Sequence, residues 1–228
     1  MKIALIDSGI GGLTLLKRLL KSFPKADYIY FADTYAHPYG SKDADFLRFR
    51  LLKIVELLYE RRADIVVFAC NTASSVMLQG EHDFPLPVLG VSPKVNEPQG
   101  TLIACTPLTA CSPKVKEYAE KGACVYANPC LATLVERYVR NLSRLENYLY
   151  LELSRYDVER VVLGCTHYVY LKDIVAKVTG AKVDDCFTPV VNELQKFAPN
   201  GGSGKLDFIF TAQNERKYYL ELLERACF

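Results

Sequence analysis

The sequence is poor in the features that most simply announce a function. Its 228 residues contain no apolar run approaching the roughly 20 residues of a membrane span. The opening Met1-Lys2-Ile3-Ala4-Leu5-Ile6 is too short to be the apolar core of a signal peptide. The chain therefore reads as a cytoplasmic protein with no membrane partner. Its formal charge of +2 is close to neutral, and no stripe of Lys and Arg interleaved with aromatics occurs, so nucleic acid is not an expected partner. Neither G-x-G-x-x-G nor G-K-[ST] is present, which makes a dinucleotide or phosphate loop a weak reading. Three histidines, none at zinc-motif spacing, give no expectation of a metal. Eight cysteines include no C-x-x-C pair, and a chain of this size needs no disulfide framework, so the thiols read as reduced.

What is present is one device used twice. Val66-Val67-Phe68-Ala69-Cys70-Asn71-Thr72-Ala73-Ser74 is echoed by Val161-Val162-Leu163-Gly164-Cys165-Thr166-His167-Tyr168-Val169. Each is a short Val-rich run that passes through a small residue to a cysteine and then to polar side chains. Such runs read as buried strands. An acidic residue stands six positions before each cysteine, Asp64 and Glu159. Ligands of open α/β sheets bind beyond the carboxyl ends of the strands, where both thiols fall, so two sulfurs can face one ligand. Free cysteine is also among the most buried residue types. The repeated escorts Asn71-Thr72 and Thr166-His167 favour chemistry over packing. The other six cysteines, at 105, 111, 124, 130, 186 and 227, read mostly as packed thiols.

Around this device the chain alternates strand and helix. Met1 to Gly9, Tyr28 to Ala32 and Val66 to Cys70 read as strands. Between them lie a helix carrying Leu13, Leu16 and Leu20, and another from about Asp43 to Arg62 with Phe46, Phe49, Leu52, Val55 and Tyr59 on one face. This β-α-β-α-β pattern implies parallel pairing. The turn at Ser8-Gly9 would aim N–H groups and the Ser8 hydroxyl at an anion such as a carboxylate. The pattern restarts at Thr101, with Thr106 in the position of Asp7. Asp7 and Thr106 lie 99 residues apart, and Cys70 and Cys165 lie 95 apart, so two similar halves facing each other explain both echoes. In the second half, a long helical region from about Leu131 to Arg155 carries Glu136. Asn200 to Gly204 reads as a flexible link, followed by a strand and helix that return to the first half.

Four segments resemble the aspartate/glutamate racemase family: Asp7-Ser8-Gly9-Ile10-Gly11-Gly12-Leu13-Thr14, Ala32-Asp33-Thr34 with Pro38-Tyr39-Gly40, Ala69-Cys70-Asn71-Thr72-Ala73-Ser74, and Gly164-Cys165-Thr166-His167-Tyr168. The resemblance implies an isomerase without a cofactor, built as an α/β fold of two pseudo-symmetric domains with the active site in the cleft between them. Residues 1–92 with 206–228 would form one domain and 93–205 the other. It further implies that Cys70 and Cys165 are the acid/base pair, assisted by Asp7 and His167. Ser8, Tyr39, Gly40, Asn71, Thr72 and Thr166 would contact substrate, with Glu136, Thr106 and Thr109 as further matches. Glutamate is the implied substrate, its D-form destined for peptidoglycan, and a homodimer the implied assembly. Aspartate or another small diacid is the alternative substrate, and a non-catalytic carboxylate-binding protein the alternative of another class. The chain departs from the family pattern at His37 before Pro-Tyr-Gly, at Ala104-Cys105 before Thr106, at Val169-Tyr170 after His-Tyr, and at Lys94 after Ser92-Pro93.

Overall fold

The first strand, β1 (Lys2–Asp7), is the centre of a five-stranded sheet in the computed structural model, which describes residues 1–79, 83–197 and 201–225. It lies between β2 (Asp27–Ala32) and β3 (Ile65–Phe68), with β4 (Val88–Gly90) outside β3 and β9 (Leu206–Phe210) outside β2. The second sheet sets β5 (Thr101–Cys105) between β6 (Cys124–Ala127) and β7 (Arg160–Gly164), with β8 (Lys182–Asp184) outside β7. The order β4-β3-β1-β2 is thus repeated as β8-β7-β5-β6. All strand pairings among the described residues are parallel. The two echoed cysteine strands, β3 and β7, are equivalent members of the two sheets.

Helices connect the strands: α1 (Leu13–Ser22), α2 (Ala44–Glu60) and α3 (Asn71–Met77) in the first half, and α4 (Pro107–Ala110), α5 (Pro113–Glu120), α6 (Leu131–Tyr138), α7 (Glu146–Leu153), α8 (Lys172–Thr179) and α9 (Thr188–Lys196) in the second. After β9 comes α10 (Arg216–Arg225), which packs on α1. Local chemistry sets several boundaries. Asp43 accepts from the N–H groups of Asp45 and Phe46 at the start of α2, and Ser112 caps α5 ahead of Pro113. Gly180, at φ 68°, ends α8 in the left-handed conformation that glycine adopts without steric cost.

Because helices cover both faces of each sheet, the strands are apolar at successive positions. Ile3 and Leu5 join one buried cluster, while the alternate Ala4 and Ile6 join another. The first cluster continues through Ile65 and Val67 into Leu102, Ala104, Val161 and Leu163 of the second sheet, so one apolar seam unites the halves. No helix among the described residues is long and apolar enough to cross a membrane.

Three expectations are revised. The buried face of α2 is Leu47, Leu51, Ile54, Val55 and Leu58, whereas Phe46, Phe49 and Tyr59 are exposed. The branched aliphatics form a narrower stripe than the aromatics, and it is this stripe that packs on the sheet. The helical region from Leu131 breaks at Asn141, whose backbone leaves the helical region and whose side chain accepts from the Ser143 hydroxyl, a local bond that competes with helix. The stretch read as a flexible link is pinned instead. Ser203 N–H, Ser203 Oγ and Lys205 N–H all donate to Asp27 Oδ1, at 2.8, 2.9 and 3.0 Å; Asn200 of that stretch lies outside the described residues.

Candidate active site

Cys70 follows β3 and opens α3, so its sulfur sits where the first free N–H groups of the helix point. Burial drives the Cys70 thiol far above its ordinary range and the charge of Asp7 adds to this, while hydrogen bonds from the Ala73 and Thr72 amides act against it. Asp7 ends β1 and is fully buried. Burial raises its carboxyl from 3.8 to about 6, a rise held back by the charge on His167 and by the Gly9 N–H, which donates to Asp7 Oδ1 at 2.8 Å. A partly protonated carboxyl is thereby set beside a firmly protonated thiol.

Cys165 stands at the equivalent position after β7, and His167 comes two residues later in a 3₁₀ turn. His167 Nε2 lies 2.8 Å from Glu136 Oε1. Burial alone would lower the His167 pKa, but its hydrogen bonds with Cys165 and Glu136 and the charges of Glu136 and Asp7 outweigh burial and hold it well above its usual value. Glu136 would be raised by burial, and its bond with His167 instead keeps it below the ordinary range. The Ile10 N–H also donates to Glu136 Oε1 at 3.0 Å, fixing the carboxylate against the glycine turn of the first half. Glycine at positions 9 and 11 leaves the room these contacts occupy. A Cβ on Gly9 would lie 1.9 Å from Glu136 Oε1, and one on Gly11 would lie 2.5 Å from His167 Nδ1.

Across the two halves, the Thr72 and Thr106 hydroxyls meet at 2.9 Å, and Thr106 Oγ1 donates to Thr109 Oγ1 at 3.1 Å. Gly40 is pressed against Thr106, where a Cβ would come within 2.9 Å of the threonine side chain. Tyr39 is buried and donates to Asp33 Oδ2 at 2.7 Å. Arg50 grips the same carboxylate through two bonds of 2.5 Å, and Thr211 donates to it at 2.7 Å. Ser8 is buried beside Asp7, and Thr166 Oγ1 donates to Asp7 Oδ2 at 3.4 Å. Asn71 Oδ1 accepts from Cys186 Sγ at 3.3 Å, whereas its Nδ2 is buried and has no hydrogen-bond partner among the described residues.

The sequence and the fold have counterparts among known proteins. No family model matches the sequence. A glutamate racemase from Halothermothrix orenii is 32% identical over 251 aligned positions, covering 98% of this chain and 99% of the relative. The chain belongs to the glutamate racemase family. Glutamate racemase 2 of Bacillus subtilis is 34% identical over 202 positions, covering 81% of this chain and 76% of its own. Among solved structures, the Aquifex pyrophilus glutamate racemase is 31% identical with a TM-score of 0.78, covering 99% of this chain and 96% of that one. The Escherichia coli glutamate racemase, solved with L-glutamate and an activator, is 26% identical with a TM-score of 0.82, covering 98% and 94%.

The residues expected at a racemase site from sequence fall at or just beyond the ends of β1, β3, β5 and β7, except Tyr39 and Gly40, on a 3₁₀ turn in the segment after β2, and Glu136, on α6. Sequence reasoning missed Arg50 and Thr211, which bond Asp33 behind Tyr39, and the contact of the packed Cys186 with Asn71. Asp33 offered a signal, as part of the matched Ala32-Asp33-Thr34; Arg50 offered none. His37, noted only as a departure from the family pattern, stands with its ring 5.6 Å from that of His167. The expectation of packed thiols holds for Cys105 and Cys186, but Cys111, Cys124 and Cys130 are exposed, and Cys227 lies outside the described residues.

Proposed function

We propose that the protein interconverts L- and D-glutamate by passing a proton between Cys70, Cys165 and the substrate α-carbon, without a cofactor. The observation that carries this reading is the equivalence of β3 and β7 in two sheets of matching strand order, each strand delivering one buried cysteine. One thiolate takes the α-proton. The opposite thiol delivers its own proton to the other face, and the two sulfurs finish with their roles exchanged. Each sulfur has its own assistant, Asp7 for Cys70 and the His167–Glu136 pair for Cys165.

The α-proton is very weakly acidic, so donors must already be aimed at the charge that develops in the transition state. Ser8, Asn71, Thr72 and Thr166 are buried donors of this kind, and the unpartnered Asn71 Nδ2 can bind a substrate carboxylate oxygen. Tyr39 and Gly40, fixed by Asp33 and Thr106, shape the wall opposite, and Thr109 supports Thr106. The domains proposed are residues 1–92 with 206–228, and 93–205; the pairing of β9 with β2 supports this division. A homodimer in the cytoplasm, supplying D-glutamate for peptidoglycan, completes the proposal. The exposed Phe46, Phe49 and Tyr59 are apolar surface that a second copy could cover.

Proton NMR of L-glutamate incubated with the protein in D₂O tests the reading. Deuterium at the α-position together with D-glutamate is expected, with L-aspartate turned over far more slowly. Faster exchange of aspartate would make the protein an aspartate racemase, and exchange of neither acid would leave a carboxylate-binding protein.

A further inference from the structure

We propose that His37, Glu136 and His167 form a site for a divalent transition-metal ion, best matched by Zn²⁺, and that its occupancy inhibits the enzyme. Among the described residues these are the one group of three metal-ligating side chains whose donor atoms all lie within 4.8 Å of one another. Two imidazoles and a carboxylate are a donor set that suits zinc. Ligand atoms about 2.1 Å from a tetrahedral ion are about 3.3 Å from each other. Glu136 Oε1 lies 2.8 Å from His167 Nε2 and 3.5 Å from His37 Nδ1, so small side-chain shifts bring the three to one centre.

His37 is the residue that makes the set. Its two ring nitrogens are buried and neither has a hydrogen-bond partner among the described residues. Its polar contacts are the 3.5 Å pairing of Nδ1 with Glu136 Oε1 and the Ser8 backbone, neither a well-formed hydrogen bond, so a ring lone pair is available to an ion. Gly9 provides the clearance, since a Cβ there would lie 1.9 Å from Glu136 Oε1 and 3.1 Å from His37 Nδ1. The cluster also has a solvent side. The side chains of Glu136 and His37 are 26% and 16% exposed, whereas that of His167 is 2% exposed, so an ion reaches the outer two ligands before the inner one.

An ion at this centre takes both Glu136 and His167 away from Cys165, which disables one side of the two-thiol reaction. This inhibition rests on the racemase reading; the binding does not.

The test uses the full chain with Cys111→Ser, Cys124→Ser and Cys130→Ser, because these exposed thiols take up zinc unspecifically, and with Cys227→Ser so that no thiol outside the described residues competes. Equilibrium dialysis against zinc chloride should give one ion per chain, and the zinc absorption edge should report imidazole ligation. His37→Phe in the same background should weaken binding about tenfold or more, equivalent to about 1.4 kcal/mol, and should raise the zinc concentration needed to inhibit by a similar factor. Equal affinity in His37→Phe, no bound ion, or an edge without imidazole scattering would overturn the proposal. If His37→Phe does not fold, the edge spectrum of the background protein decides alone. Zinc bound as expected by a protein that does not exchange the glutamate α-proton would uphold the site and reject the racemase reading.

Discussion

Thr166 donates to Asp7 across the halves, so the residue after one cysteine holds the carboxylate proposed to assist the other. Asp7 is nevertheless poorly compensated. Its rise from 3.8 to about 6 corresponds to about 3 kcal/mol of unfavourable burial once it is ionised. A carboxyl whose folded pKa is raised favours the folded state below its unfolded value, and that advantage is lost as pH climbs from 3.8 to about 6. Asp7→Asn keeps an acceptor for the Gly9 N–H and removes the charge. It should stabilise the protein by up to about 3 kcal/mol at pH 7.5, add little at pH 4, and lower racemisation, as urea unfolding at the two pH values and a chiral assay would read.

Replacing either thiol of the proposed pair should abolish turnover without unfolding the chain. Cys70→Ser and Cys165→Ser are each expected to lose about 100- to 10,000-fold in racemisation, with melting temperatures close to that of the parent. A large fall in stability with activity retained would identify these as packing residues.

The pair of His167 with Glu136 should give stability its own pH signature. The raised His167 pKa contributes stability that is complete below about 6.5 and is lost as pH rises through the folded value. The lowered Glu136 pKa contributes stability present above 4.5 and lost as pH falls through its folded value. Glu136→Gln should therefore flatten the alkaline loss in a pH series of urea midpoints. It should also lower the His167 pKa, followed by NMR of the ring protons, and slow racemisation by about tenfold or more.

Gly11→Ala tests how tightly the glycine turn holds the second side of the site. The new Cβ would come 2.5 Å from His167 Nδ1 and 2.6 Å from Thr166 Oγ1, so the imidazole must shift. A displacement of this size is expected to cost about 100-fold in kcat, with a loss of stability of about 1–3 kcal/mol.

The parts of this architecture that were legible in sequence are those encoded locally. The strands ending at Cys70 and Cys165, buried on both faces, leave unbroken apolar runs, and their spacing revealed the two halves. The core face of α2 was misread because large exposed aromatics outweighed the aliphatic stripe of Leu47, Leu51, Ile54 and Leu58. The cluster of His37, Glu136 and His167 could not be read from spacing, because its members come from three separate parts of the chain and only the fold brings them within reach. The same holds for Arg50 and Thr211 on Asp33, where a loop, a helix and the segment after the last strand converge.

The position of β9 bears on how the molecule is made. It pairs with β2 at the edge of the first sheet, with α10 packed on α1, although more than a hundred residues of the second half are synthesised between them. On the ribosome, the second half is contiguous and can close as soon as it emerges. The sheet that begins the chain exposes the edge of β2 until residues 206–210 have emerged. The lobe translated first is therefore completed only after the second, by the residues from Leu206 onward.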